Sequence, residues 1–144
     1  MERPVIRRTI LPGLLLVVSC STSTEPEWAR VPGLIMEGQA PFTALVAPDD
    51  VARGTRFDVT VSSFGSSSCT RDDGYDLEAT RTSAVIRLFD LVATGAIACT
   101  DDLRQFPRHL TLEFPDPGPA SITVVGRGFD GQPLEITKTI IVRP

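Results

Sequence analysis

A single histidine, His109, occurs among the 144 residues. One imidazole gives no His pair for a zinc site, and it leaves His109 as the only histidine base open to a Ser-His-Asp triad. There is no G-x-S-x-G turn to expose a nucleophilic serine and no C-x-x-C spacing to hold a metal. Basic clustering is missing as well. Lys and Arg number 14 against 18 Asp and Glu, and the arginines are scattered, so the electrostatic footprint of a nucleic-acid binder is absent. No internal repeat is visible. The main apolar run is about half the roughly 20 residues needed to cross a bilayer core. The expectation is a non-enzymatic chain with no cofactor, no resident metal and no nucleic-acid partner.

What is present begins with a leader. Arg3, Arg7 and Arg8 precede an uncharged series, Ile10, Leu11, Leu14, Leu15, Leu16, Val17 and Val18, which ends in Val17-Val18-Ser19-Cys20. Basic, then apolar, then small is the order of an export signal. Pro12 and Gly13 would weaken a permanent helix but are tolerated in a segment that is inserted and cut away. The last four residues resemble the bacterial lipobox, with Val17 where leucine is commonest. That resemblance implies a diacylglyceryl group on the Cys20 sulfur, cleavage after Ser19 and a chain held to a membrane by its lipid. Each acyl chain contributes about 0.8 kcal/mol per buried methylene, so two or three make a stable anchor. Ser21 follows Cys20, without the Asp that signals inner-membrane retention in enteric bacteria. The expected location is the cell envelope, at the outer membrane, facing the periplasm or the surface. Two other readings stay open: a short buried segment with a core cysteine, and a twin-arginine route through Arg7-Arg8.

Without the leader, 11 basic and 17 acidic residues remain, a formal charge of −6 on a length that suits one domain. With Cys20 assigned to lipid, Cys69 and Cys99 are left as a pair in a compartment where disulfides persist. A bridge closing about 30 residues contributes roughly 3.5 kcal/mol in the chain-entropy estimate.

Residues 20–32 are polar and carry Pro26 and Pro32, which predicts a lipidated N-terminus and tether, with Trp28 folded against the domain edge. From Gly33 to Pro144 the period is that of strands. Thr55 to Ser62 alternates Phe57, Val59 and Val61 with Arg56, Asp58 and Thr60. Leu110 to Phe114, Ile122 to Val125 and Leu134 to Ile140 alternate in the same way. Ser83 to Ala93 is more continuously apolar; a helix fits its length, but its β-branched and aromatic residues favour a central strand. Leu34 to Glu37, Phe42 to Val46 and Tyr75 to Thr80 are weaker candidates. Asp130-Gly131 between two alternating runs predicts a hairpin. Turn residues at short intervals and the lack of a convincing helix predict an all-β chain, a single antiparallel β-sandwich of about seven strands.

Ala44-Leu45-Val46-Ala47-Pro48, followed by Val51, Gly54, Phe57, Val59 and Val61, resembles the opening strands of bacterial immunoglobulin-like domains. Gly118 to Val124 and Ile140 to Val142 resemble their closing strands. The resemblance implies an immunoglobulin-like sandwich. No Trp lies between the cysteines and Cys69 follows a Ser-rich loop, so the bridge is expected to clamp loops at one end.

That bridge would bring Asp72, Asp73, Asp101 and Asp102 together, with Asp76 nearby. Such an oxygen-rich group could hold Ca²⁺, although turn chemistry explains the same residues. His109 follows Pro107-Arg108 at a strand start, a common surface position. Asp49-Asp50 reads as a turn. The functional expectation is an anchored binding or structural module whose partner is an envelope protein or a glycan. Two alternatives are an accessory subunit that adds a partner strand to a sheet edge, and a small hydrolase.

Overall fold

The computed structural model describes residues 26–38, 42–95 and 97–144. The expected signal and Cys20 lie outside the described residues. Nine strands and no helix occur among the described residues: β1 (Glu27–Pro32), β2 (Leu45–Val46), β3 (Asp50–Ala52), β4 (Arg56–Gly65), β5 (Thr70–Ala79), β6 (Ser83–Thr94), β7 (Arg104–Glu113), β8 (Gly118–Arg127) and β9 (Pro133–Arg143). The first sheet holds β1, β3, β5, β6, β8 and β9; the second holds β2, β4 and β7. β6 is central in the first. One of its edges carries β5 along most of its length, and the other carries β8 opposite Ser83–Arg87 and then β1 opposite Phe89–Thr94.

The alternation of the strands decides what is buried. Ala84, Ile86 and Leu88 on β6, Ala120, Ile122 and Val124 on β8, and Ile140 and Val142 on β9 turn inward from the first sheet. Phe57, Val59 and Val61 on β4 and Leu110 and Leu112 on β7 turn inward from the second, with Phe114 just beyond β7. All belong to one hydrophobic cluster. Full burial of one such side chain contributes about 1.5 to 3 kcal/mol, so this shared layer is what joins the sheets.

Several expectations need correction. The pairing is mixed, not purely antiparallel: β6 with β8 and β3 with β9 run parallel. The first follows from connectivity, because the chain leaves β6, crosses to the other sheet as β7 and returns as β8, a crossover long enough for a parallel neighbour. The strand count among the described residues is nine. β2 and β3 span two and three residues, too short to show a period. Glu27–Pro32, expected as part of a polar tether, is a strand paired with β6. Trp28 is fixed there by the Arg71 guanidinium, 3.9 Å from its ring centroid, and Arg30 lies 3.7 Å from the Phe89 ring centroid. The Ser83–Thr94 segment is a strand, as its composition favoured. The β8–β9 hairpin turns at Asp130-Gly131 with Gly131 at φ 77°.

After β1 the chain crosses between the sheets. Gly33 N donates to Leu88 O and Ile35 N to Arg127 O in the first sheet, while Leu34 O accepts from Phe64 N in the second. The passage is tight: a Cβ on Gly126 would stand 2.4 Å from Gly33 O, a backbone atom with no freedom to move aside.

Candidate functional site

Three inward-facing series break at the same end of the domain. Phe57, Val59 and Val61 on β4 are followed in phase by Ser63; Ala84, Ile86 and Leu88 on β6 by Asp90; and Leu112 and Leu110 on β7, read backward, by Arg108. All three polar residues are buried, with Asp90 at 0% exposure and Arg108 at 6%. An isolated charge at such a depth costs several kcal/mol, so each must find partners.

They find them in one another. Arg108 Nη2 donates to Asp90 Oδ1 at 3.1 Å and to Phe89 O at 2.9 Å, and Nη1 donates to Ser63 Oγ at 2.9 Å. Ser63 Oγ in turn donates to Asp90 Oδ1 at 2.6 Å. Asp90 Oδ2 accepts from Leu34 N at 3.2 Å, which ties in the crossing segment. Arg108 Nε reaches Asp72 Oδ1 on β5 at 2.8 Å, and the same oxygen accepts from Gly74 N at 2.7 Å. Among the described residues no buried side-chain nitrogen or oxygen lacks a partner. The group joins β4 and β7 of one sheet to β5 and β6 of the other, a fixed array of charge. No cavity opens onto it among the described residues.

The disulfide closes the same end. Cys69 and Cys99 are bonded, with Cα atoms 5.5 Å apart. The bridge ties the segment entering β5 to the loop between β6 and β7, as the clamp reading requires. Two bonds flank it, Ser68 N to Thr100 O at 3.0 Å and Thr100 N to Ser68 Oγ at 2.9 Å. Ala93 N donates to Cys69 O at 3.0 Å.

The calcium alternative loses its ligand set in this geometry. Asp72 is turned to Arg108, Asp73 to Arg30 at 2.5 Å and Asp102 to Arg104 at 2.5 Å, while Asp101 is exposed. Hydrogen bonds from Arg104 and then Thr100 hold the Asp102 carboxyl below the usual carboxylate range. No three His, Cys, Asp or Glu side chains gather among the described residues. The attraction of the neighbouring arginines separates the carboxylates that the sequence places together. His109 points outward from β7, its Nδ1 3.0 Å from Thr60 Oγ1, and is exposed. Asp49 and Asp50, read as a turn in the sequence, bond Lys138 and Arg143 at 2.8 and 2.6 Å, and Asp50 opens β3 opposite Ile141.

The Ser63–Asp90–Arg108 group went unread in the sequence, although its signal is there. Asp90 interrupts Leu88-Phe89-Asp90-Leu91-Val92, where apolar residues on both faces hide the period. Arg108 lies one step before the clean alternation of Leu110 to Phe114, and extending that phase backward would have placed it inward. Comparison of the chain with known protein families, with curated proteins and with solved structures finds no match.

Proposed function

We propose that this chain is a membrane-anchored cell-envelope lipoprotein, held by lipid on Cys20, whose folded part is a non-enzymatic binding or structural module with an immunoglobulin-like arrangement of its two sheets. The observation that carries the reading is the Cys69–Cys99 bond, because such bonds form and persist outside the reducing cytoplasm. The basic, apolar and small order of residues 1–20 supplies a route to that compartment. The immunoglobulin-like arrangement is supported by two sheets sharing one core and by the crossing segment that bonds to both. Growing the native cells with a labelled fatty acid tests the anchor: label is expected on the wild-type protein and absent from Cys20→Ser. An unlabelled wild-type protein overturns it.

A second reading, an accessory subunit of an envelope complex, is favoured by one observation. Tyr75 and Leu77 are 37% and 40% exposed although they lie on the core-facing side of their strand.

A further inference from the structure

In register, Tyr75 stands opposite Leu88, Leu77 opposite Ile86 and Ala79 opposite Ala84, so all three share the inward face of β6. Their partners on β6 are buried, yet Tyr75 and Leu77 are exposed. Among the described residues β5 pairs only with β6, which leaves its other backbone edge without a strand there, and residues 70–79 contain no proline. By contrast, Pro107 lies within the edge strand β7, Pro32 ends β1, β2 and β3 span only two and three residues, and β9, which β3 flanks only at Ile141–Arg143, keeps Leu134 and Ile136 partly buried against the core. β5 is therefore the edge that joins a regular run of backbone to uncovered apolar side chains, the geometry by which a sheet accepts an added strand.

The charge on the opposite face says what kind of strand fits. Asp76 and Glu78 point outward, with Arg87 of β6 opposite Asp76 and bonded to Glu78 at 2.9 Å. Arg87 bonds Glu78 alone of the two carboxylates, and the Glu78 side chain is 70% exposed. A second copy of this chain fits badly, because antiparallel pairing through the regular run 75–79 would set Asp76 and Glu78 against the same carboxylates, a destabilising arrangement. A strand with basic residues at alternate positions would meet Asp76 and Glu78 from the open side, as Arg87 meets Glu78 from the closed side. Its intervening apolar residues would cover Tyr75 and Leu77.

We infer that the open edge of β5, Tyr75 to Ala79, accepts an extended segment of a protein partner in which apolar residues alternate with Lys or Arg. This deepens the accessory-subunit reading and rests on it. The probe is a labelled peptide of about eight residues, the length of an ordinary strand, alternating valine and lysine. A second peptide replaces lysine with glutamate. With the purified protein, the valine–lysine peptide is expected to bind and to slow amide exchange within 74–80, and the valine–glutamate peptide to bind at least tenfold more weakly. Leu77→Lys, at a position exposed enough to accept it, is expected to weaken binding at least tenfold, while Val46→Lys on β2 leaves it unchanged. No binding, equal binding of both peptides, protection outside β5 or indifference to Leu77→Lys overturns the inference. Formation of a protein dimer through β5 would also overturn it, in favour of a second copy. None of these outcomes bears on labelling of Cys20, so this inference and the anchor can fail separately.

Discussion

The middle of the domain and its disulfide-closed end hold the same two sheets together by different physics. In the middle, Val59, Leu110, Ile86 and Ile122 belong to one apolar cluster and need only fill space. At the end, Ser63, Asp90 and Arg108 occupy the next positions of the same inward faces and need specific partners. An apolar layer tolerates exchange of shape, whereas a buried charged group tolerates the loss of none of its members. The end therefore joins the sheets through specific partners, and the middle supplies most of the burial.

The sharpest way to break that contrast is Asp90→Ala. It leaves the buried Arg108 with Asp72, nearly half exposed, as its one carboxylate partner, and it is expected to lower stability by about 3 to 5 kcal/mol in urea unfolding. Asp90→Leu combined with Arg108→Met should lose much less than Asp90→Ala alone. Equal losses would mean that the charges do not act as a pair. Next in size is the disulfide: Cys69→Ser with Cys99→Ser is expected to cost roughly 3.5 kcal/mol by loop entropy, read from the same curves. A loss below about 1 kcal/mol would show that Arg108 and the loop bonds already fasten this end. In the middle, Ile122→Val should cost only about 0.5 to 1.5 kcal/mol. A larger loss there would erase the difference between the two regions.

The smallest effect is expected from the surface. Hydrogen bonds from Lys138, Arg104 and Arg81 hold the carboxyls of Asp49, Asp102 and Asp116 below their ordinary values. A carboxyl lowered on folding contributes stability that is present above its unfolded value, near 3.9, and is lost as pH falls through the folded value. Thermal midpoints should therefore decline below about pH 4, and slightly less steeply in Asp116→Asn. Because these pairs are exposed, added salt should shrink the difference. An acid limb that Asp116→Asn leaves unchanged at low salt would remove Arg81–Asp116 from the account.

The two regions also differ in how far the sequence reveals them. Strands such as Arg56–Gly65 and Gly118–Arg127 are legible because one face is wet and the other dry, which imprints a period of two. The Cys69–Cys99 pairing is legible from the count of thiols once one is set aside. Asp90 and Arg108 are not, because a charged residue on an inward face looks like a surface residue until its partner, 18 positions away, is known. Glu27–Pro32 is hidden for a related reason. Its pairing with β6 depends on Arg71 and Phe89, which stack on Trp28 and Arg30 from distant parts of the chain. The mixed pairing is a property of chain crossing and leaves no local mark on residues 83–87 or 121–125.

Both the clamp and the proposed anchor depend on passage out of the cytoplasm, and a single peptide map tests that directly. Protein taken from its own cells, digested without reduction, should yield an N-terminal peptide that begins at Cys20 and carries the mass of acyl chains, together with a peptide crosslinked through Cys69 and Cys99. A map that begins at Met1 and shows alkylatable thiols at both later cysteines would contradict the account.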